Sequence, residues 1–173
     1  MQKLLINIPL LILGVLLLGG AVSCSEEEKT PRTREIEMAE LDSLIRMLEN
    51  DGEDIDTTDL SVFYIIRKEG EGPFPKAGDS CSVSYIGFLP NGAKFEDSRD
   101  IYPGKIWNFN YMLKKEVHEV IGLIDGIGHV NEGGEIEIYV PSDLAYGSRG
   151  TANVPPYTTL VYRATLNELK PKL

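Results

Sequence analysis

Three stretches of this chain alternate apolar and polar residues with a period of two. They are Ser80–Tyr85, Glu135–Val140 and Thr159–Leu169. A period of two puts successive side chains on opposite faces of an extended chain, so each stretch reads as a half-buried strand. In the first, Cys81, Val83 and Tyr85 share a face; in the last, Leu160, Tyr162, Ala164 and Leu166 do. Val62–Lys68 is β-branched and aromatic, and the Gly/Pro-rich segment Glu69–Pro73 ends it. Pro90-Asn91-Gly92 is a turn closing toward Lys94-Phe95. Between the strands, Lys114–Val130 changes period: Val117, Val120, Ile121, Ile124 and Ile127 fall on one helical face. One short helix among several strands predicts an α+β fold, with an antiparallel sheet curved around that helix.

The N-terminal third has its own organisation. Lys3 is the only charge before Glu26, and Leu4–Leu18 is almost wholly apolar. A short basic start, an apolar centre and small residues at Gly19, Gly20, Ala21 and Ser23 form the layout of a signal peptide over residues 1–23. Cys24 follows directly and resembles the acylated cysteine of a bacterial lipobox, although Ala21 stands where Leu is usual. That resemblance implies cleavage before Cys24 and a lipid anchor in a membrane, in which each buried methylene contributes about 0.8 kcal/mol. An uncleaved transmembrane anchor is the alternative, and both readings export the rest of the chain. Cys81, in an alternating strand, is expected to be a buried free thiol. Residues 24–59 read as anchor, acidic tether and amphipathic helix. Met38, Leu41, Ile45 and Leu48 make a helical stripe, while Asn50–Asp59 is an acidic break serving as a second linker. The helix must pack on its own domain, on a second copy as a homodimer through residues 36–48, or on a partner. Residues 60–173 form the main domain.

Composition and motifs exclude several classes. The formal charge of −10 repels nucleic acid. His118 and His129 have no partner at ligand spacing, so neither a metal site nor a cofactor is expected. No nucleophile elbow and no phosphate loop is present. If Glu96 and Asp97 lie on a strand they point to opposite faces and make a poor carboxylate dyad.

An ordered set of motifs stands out instead. Val83-Ser84-Tyr85-Ile86-Gly87 is followed by Asn91-Gly92-Ala93-Lys94-Phe95-Glu96-Asp97-Ser98, then by Val120-Ile121-Gly122-Leu123-Ile124-Asp125-Gly126. After them come Glu132-Gly133, Val140-Pro141-Ser142-Asp143-Leu144-Ala145-Tyr146-Gly147 and Val154-Pro155-Pro156-Tyr157-Thr158-Thr159-Leu160-Val161-Tyr162. From roughly Phe63 to Leu169 this set resembles the FKBP-type peptidyl-prolyl cis-trans isomerases. The last two motifs, in order and correctly spaced, are its most specific part. The layout of anchor, short helix and such a domain resembles envelope lipoproteins of Bacteroidetes, including gliding-motility-associated ones.

The resemblance implies a pocket for proline rings in exported, proline-containing polypeptides. Tyr85, Phe95 and Tyr146 would be walls, Val120 and Leu123 the floor, Val154 a rim residue and Glu96 the acid. Tyr146 would donate its hydroxyl to a substrate carbonyl. Tyr162 fits pocket and core equally well. A further aromatic should come from Trp107, Phe109 or Tyr111, with Phe109 matching the family best and Trp107 its rival. The chain departs from the family in three places. Leu123 stands where Trp is usual, Glu96 stands for Asp, and the stretch between Phe95 and Val120 is longer, with Ile101, Tyr102 and Trp107 bordering the pocket. The implied activity is isomerisation of X-Pro bonds at the cell envelope of a Gram-negative-type bacterium. The alternatives are a non-catalytic module or chaperone gripping proline-containing or unfolded segments, and a structural lipoprotein that merely keeps the fold.

Overall fold

The computed structural model describes residues 31–114 and 120–173. The expectations for residues 1–23, for Cys24 and for Val117 and His118 lie outside the described residues. In chain order the elements are α1 (Arg34–Asn50), β1 (Asp56–Thr57), β2 (Phe63–Lys68), β3 (Ser80–Phe88), β4 (Lys94–Asp97), α2 (Ser98–Ile101), β5 (Trp107–Asn110), α3 (Ile121–Ile127), β6 (Glu135–Val140) and β7 (Leu160–Lys170). The strands form one antiparallel sheet in the order β1-β2-β6-β7-β3-β4. β5 also pairs with β3, along Ser80–Val83, whereas β4 pairs with Ile86–Phe88. One edge of the long β3 is thus shared by two short strands, and the segment carrying α2 leaves the sheet between them.

Period-two alternation sets the inner face. Val83, Tyr85, Ile136, Ile138, Val140, Tyr162 and Leu166 point to one side and enclose α3, whose Leu123, Ile124 and Ile127 are buried among them. A bulge between Ser82 and Val83 shifts the β3–β7 register, so that Leu169 is buried as well as Leu166. The helix lies unusually close to the sheet. A Cβ on Gly126 would meet the Ile138 side chain at 2.6 Å, so any larger residue there would force helix or side chain to shift.

The outer face is not open to solvent everywhere. α1 lays Leu41 and Ile45, flanked by Met38, Leu44 and Leu48, over Ile65 and Tyr139. Burying each such side chain contributes about 1.5–3 kcal/mol, which holds a helix too short to persist alone. β6 does not show the strict alternation its sequence suggests, since Ile136 through Val140 are all buried: α1 covers Tyr139, while Arg67, Arg163 and Tyr139 surround Glu137. The apolar stripe of α1 therefore packs within its own chain, and what the helix leaves exposed is Ile36 and Met47.

Two sequence expectations need correction here. The acidic break after α1 is not a plain linker: Asp56 and Thr57 pair with Tyr64 and Phe63, and Thr58 is buried. The helix expected over Lys114–Val130 is, among the described residues, only Ile121–Ile127. Lys114 is already outside helical structure, and Gly128 ends the helix.

Candidate functional site

β3, β4, β7 and the loop between β6 and β7 bring the site together. Tyr85 points inward from β3 and is 5% exposed. Its ring meets Tyr162 edge-on at 5.7 Å, and Tyr162 meets Phe95 edge-on at 5.9 Å. Edge-to-face contacts set the positive rim of one ring against the negative face of the next. The Phe95 ring lies over Gly87, where an added Cβ would stand 2.8 Å from it. The Val-Ser-Tyr-Ile-Gly motif therefore supplies both an aromatic ring and the gap that seats another.

The aromatic row continues from Tyr85 in the other direction. Trp107 stands edge-on to Tyr85 at 5.7 Å and stacks on Phe109 at 4.1 Å. β5 presents Trp107 and Phe109 stacked on one another, and Trp107 is the one that touches Tyr85. Tyr102, in the longer segment after α2, stacks on Trp107 at 6.3 Å and faces Tyr85 at 6.5 Å. Tyr111 lies elsewhere. Its hydroxyl sits against Gly128, at the C-terminal end of α3, and burial pushes its pKa up to about 12.

Glu96 is the polar centre. The Tyr85 hydroxyl donates to one carboxylate oxygen, and the Tyr146 hydroxyl approaches the other at 3.4 Å. Burial, and then the neighbouring Glu96 charge, raise the Tyr85 pKa, so the phenol stays a donor. Burial likewise raises that of Tyr162, and the nearby Glu96 charge and Tyr146 side chain add to the rise. Phe95, Glu96, Ile101 and Tyr146 line a surface cleft of about 350 Å³, together with Lys94, Asp97, Asp100, Thr151 and Asn153.

Asp97 has a different task from its neighbour. It caps α2 by accepting the Arg99 N–H and pairs with the Arg99 guanidinium at 2.6 Å, which holds its carboxyl well below the usual carboxylate range. Ser98 then ties the segment back: its hydroxyl accepts the Tyr85 N–H at 3.0 Å and donates to the Lys105 carbonyl. The signal for this role was a capping Asp followed by a polar turn, which the sequence reading passed over.

The remaining expected residues fall into the packing around the site. Val120 is half-buried against the core, and Leu123 is 3% exposed within it. Val154, expected at the rim, is only 2% exposed. Tyr162 is wholly buried yet touches both Tyr85 and Phe95, so it serves core and site at once. Among the described residues no three His, Cys, Asp or Glu side chains could hold a metal ion. His129 packs its ring on Tyr64 at 4.8 Å. A second groove, of about 510 Å³, lies on the outer face of the sheet. Its charged side chains are largely paired with one another, as in Arg163–Glu137 and Arg67–Glu137.

Comparison with known proteins agrees with this fold. The family model described as FKBP-type peptidyl-prolyl cis-trans isomerase matches residues 72–167. The chain is 30% identical over 122 residues to a probable FKBP-type peptidyl-prolyl cis-trans isomerase of Haemophilus influenzae, covering 70% of this chain and 48% of that protein. It is 30% identical over 118 residues to FkpA, an FKBP-type peptidyl-prolyl cis-trans isomerase of Escherichia coli K12, covering 68% and 41%. The chain thus spans less than half the length of these curated relatives. Among solved structures, FkpA from Escherichia coli superposes with a TM-score of 0.62 at 27% identity, over 80% of this chain and 63% of that one. The N-terminal domain of FKBP42 from Arabidopsis thaliana gives 0.61 at 27% identity, over 68% and 93%.

Proposed function

The chain belongs to the FKBP-type peptidyl-prolyl cis-trans isomerase family, and from that premise we propose that it accelerates X-Pro isomerisation in exported polypeptides. The observation that carries this reading is the convergence of Tyr85 and Tyr146 hydroxyls on Glu96, beside the rings of Phe95 and Tyr162. Rotation about an amide bond faces a barrier of about 18–20 kcal/mol, which comes from resonance. Uncatalysed X-Pro exchange accordingly takes tens of seconds. No proton transfer or nucleophile is needed to lower that barrier. A surface that binds the twisted amide better than either planar form is sufficient. An apolar wall of Phe95 and Tyr85 removes water from the proline ring and so weakens the solvation of the planar, more dipolar amide. Tyr146 can turn its long, 3.4 Å contact with Glu96 toward a carbonyl beside the proline. Glu96 then keeps Tyr85 in place and offers an acceptor for a substrate N–H.

Export and anchoring belong to the same proposal. The apolar run before Cys24 supports a lipid-anchored protein of the cell envelope, with residues 1–23 removed, residues 24–59 as anchor, tether and helix, and residues 60–173 as the isomerase domain. Among the described residues no helix is long and apolar enough to cross a membrane.

The test is prolyl isomerisation on a short peptide and on a protein whose refolding is limited by proline. Acceleration of both is the expected result. No acceleration of either, with retained binding to an unfolded proline-rich chain, would replace the enzyme by the binding-module reading. Export is tested separately: Cys24→Ala should lose palmitate labelling and leave the membrane fraction, and equal labelling would refute the anchor.

A further inference from the structure

Glu37 is a carboxylate on α1 with only 1% of its surface exposed. It makes no ion pair among the described residues. Instead it accepts three hydrogen bonds: from the Ser142 backbone N–H at 2.6 Å, from the Ser142 hydroxyl, and from the Thr159 hydroxyl at 3.1 Å. Ser142 and Thr159 are the two ends of one loop, the loop that carries Tyr146 and Val154. Its first turn closes on Ser142 as well, whose carbonyl accepts the N–H groups of Ala145 at 2.9 Å and Gly147 at 2.8 Å. The N–H of Tyr157 in turn donates to the Gly147 carbonyl at 3.0 Å.

Two flanking contacts reach the same loop from the same helix end. The Arg32 guanidinium donates to the Tyr157 carbonyl at 3.1 Å while pairing with Glu40 at 2.6 Å. Arg34 pairs with Asp143. Packing of the helix requires none of this, since Leu41 and Ile45 already bury its apolar stripe. Burying a carboxylate is costly unless its oxygens are fully hydrogen-bonded. Among the described residues, its three donors all come from the ends of the Tyr146 loop.

We infer that Glu37 is a positioning residue for the isomerase site: the N-terminal helix, through this carboxylate, fixes the loop that aims Tyr146 at Glu96. The helix lies outside residues 72–167, the span that matches the family model. A segment next to the membrane tether thus sets the geometry of the pocket. This inference rests on the isomerase reading for its effect on rate, but its structural half stands independently.

The experiment uses the full chain and compares Glu37→Ala, Glu37→Gln and Leu41→Ala. Leu41→Ala loosens the same helix without touching the loop. Glu37→Ala should lower kcat/KM about tenfold, since sub-ångström to ångström misplacement of a site group carries losses of that order. Glu37→Gln keeps the shape and can still accept, so it should stay within about threefold of wild type, and Leu41→Ala within about twofold. Tyr146→Phe should cost less in the Glu37→Ala background than in wild type, because both act through one hydroxyl. Amide exchange at Ser142, Ala145, Gly147 and Tyr157 should quicken in Glu37→Ala and not in Leu41→Ala. Equal effects of Glu37→Ala and Leu41→Ala on rate and exchange would overturn the inference. Should the wild type prove inactive, the exchange comparison alone decides: faster loop exchange in Glu37→Ala supports positioning, and unchanged exchange refutes it. Should Glu37→Ala not fold, Glu37→Met, which fills the same space with no acceptor, decides in the same way at the Ser142 amide.

Discussion

The Tyr85 hydroxyl on β3 donates to the Glu96 carboxylate on β4, across two strands that pair from Ile86 to Phe88. That contact fixes the acid in the site and leaves its second oxygen facing Tyr146. On the proposed reading, a substrate carbonyl would take the Tyr146 hydroxyl in place of that long contact. Tyr146→Phe removes only that donor, whose net contribution is about 0.5–1.5 kcal/mol. A loss of a few-fold to about tenfold in kcat/KM is expected, since 1.36 kcal/mol is tenfold in rate. Phe95→Ala opens the wall over Gly87 and should lose more, roughly a hundredfold. Prolyl-peptide kinetics on both variants checks the order; equal losses would show that the ring is not part of the cleft.

Leu123→Trp tests the floor. The family resemblance leaves open whether a Trp would restore an aromatic plate or collide. Leu123 is 3% exposed, on a helix that Gly126 brings into close contact with Ile138. Inserting an indole there overpacks the core, at a cost of about 1–3 kcal/mol. Thermal unfolding should show a lower Tm with no gain in kcat/KM. A variant that is as stable and faster would mean that the floor has room.

Asp125 predicts a pH dependence. Its carboxyl is 4% exposed, and burial raises its pKa above the ordinary 3.8, against the opposing pull of the Thr58 hydroxyl bond and His129; Asp59 adds to the rise. Tyr111 faces the same carboxylate. A carboxyl whose folded pKa is raised favours the fold in its protonated form. That contribution is whole below 3.8 and is lost as pH rises through the folded value. Asn at this position is neutral throughout and still accepts from Thr58. Asp125→Asn should therefore raise Tm near neutral pH by about 2–4 °C, the shift that about 1 kcal/mol gives in a chain of this size. The gain should vanish in acid. A variant that melts with wild type at every pH, or below it, contradicts this account.

Cys81 is fully buried, and desolvation pushes its thiol up to about 11. The thiolate is the reactive form, so a Cys24→Ser chain should not react with an aromatic disulfide reagent near neutral pH until it unfolds. The measurement is the rate of thiol modification against denaturant. Rapid modification of the native chain would place Cys81 outside the core.

The amino-acid sequence by itself determined the strands, because alternation is local. Cys81, Val83 and Tyr85 must share a face of β3, and Leu160, Tyr162, Ala164 and Leu166 a face of β7, whatever those faces meet. That Tyr146, between Pro141 and Gly147, stands beside an aromatic strand was implied by the family resemblance and not by any local period. The stripe of α1 was legible from its local period, through Met38, Leu41, Ile45 and Leu48. What covers that stripe was not, since Ile65 and Tyr139 belong to strands whose outer face no local pattern marks as buried. Nor could periodicity decide between Trp107 and Phe109. They lie two apart on β5, and it is the shared edge of β3 that sets Trp107 edge-on to Tyr85 with Phe109 stacked on Trp107. The length of α3 was overread because an apolar period continues past the point where the backbone leaves the helix. Glu37 is the clearest case. It reads as one more acid on a solvated helix face, and only chain closure over 105 residues brings it to Ser142 and makes it the buried acceptor of the loop. Local pattern fixes which way a side chain points; the partner it meets there is set by which distant segments the core draws together.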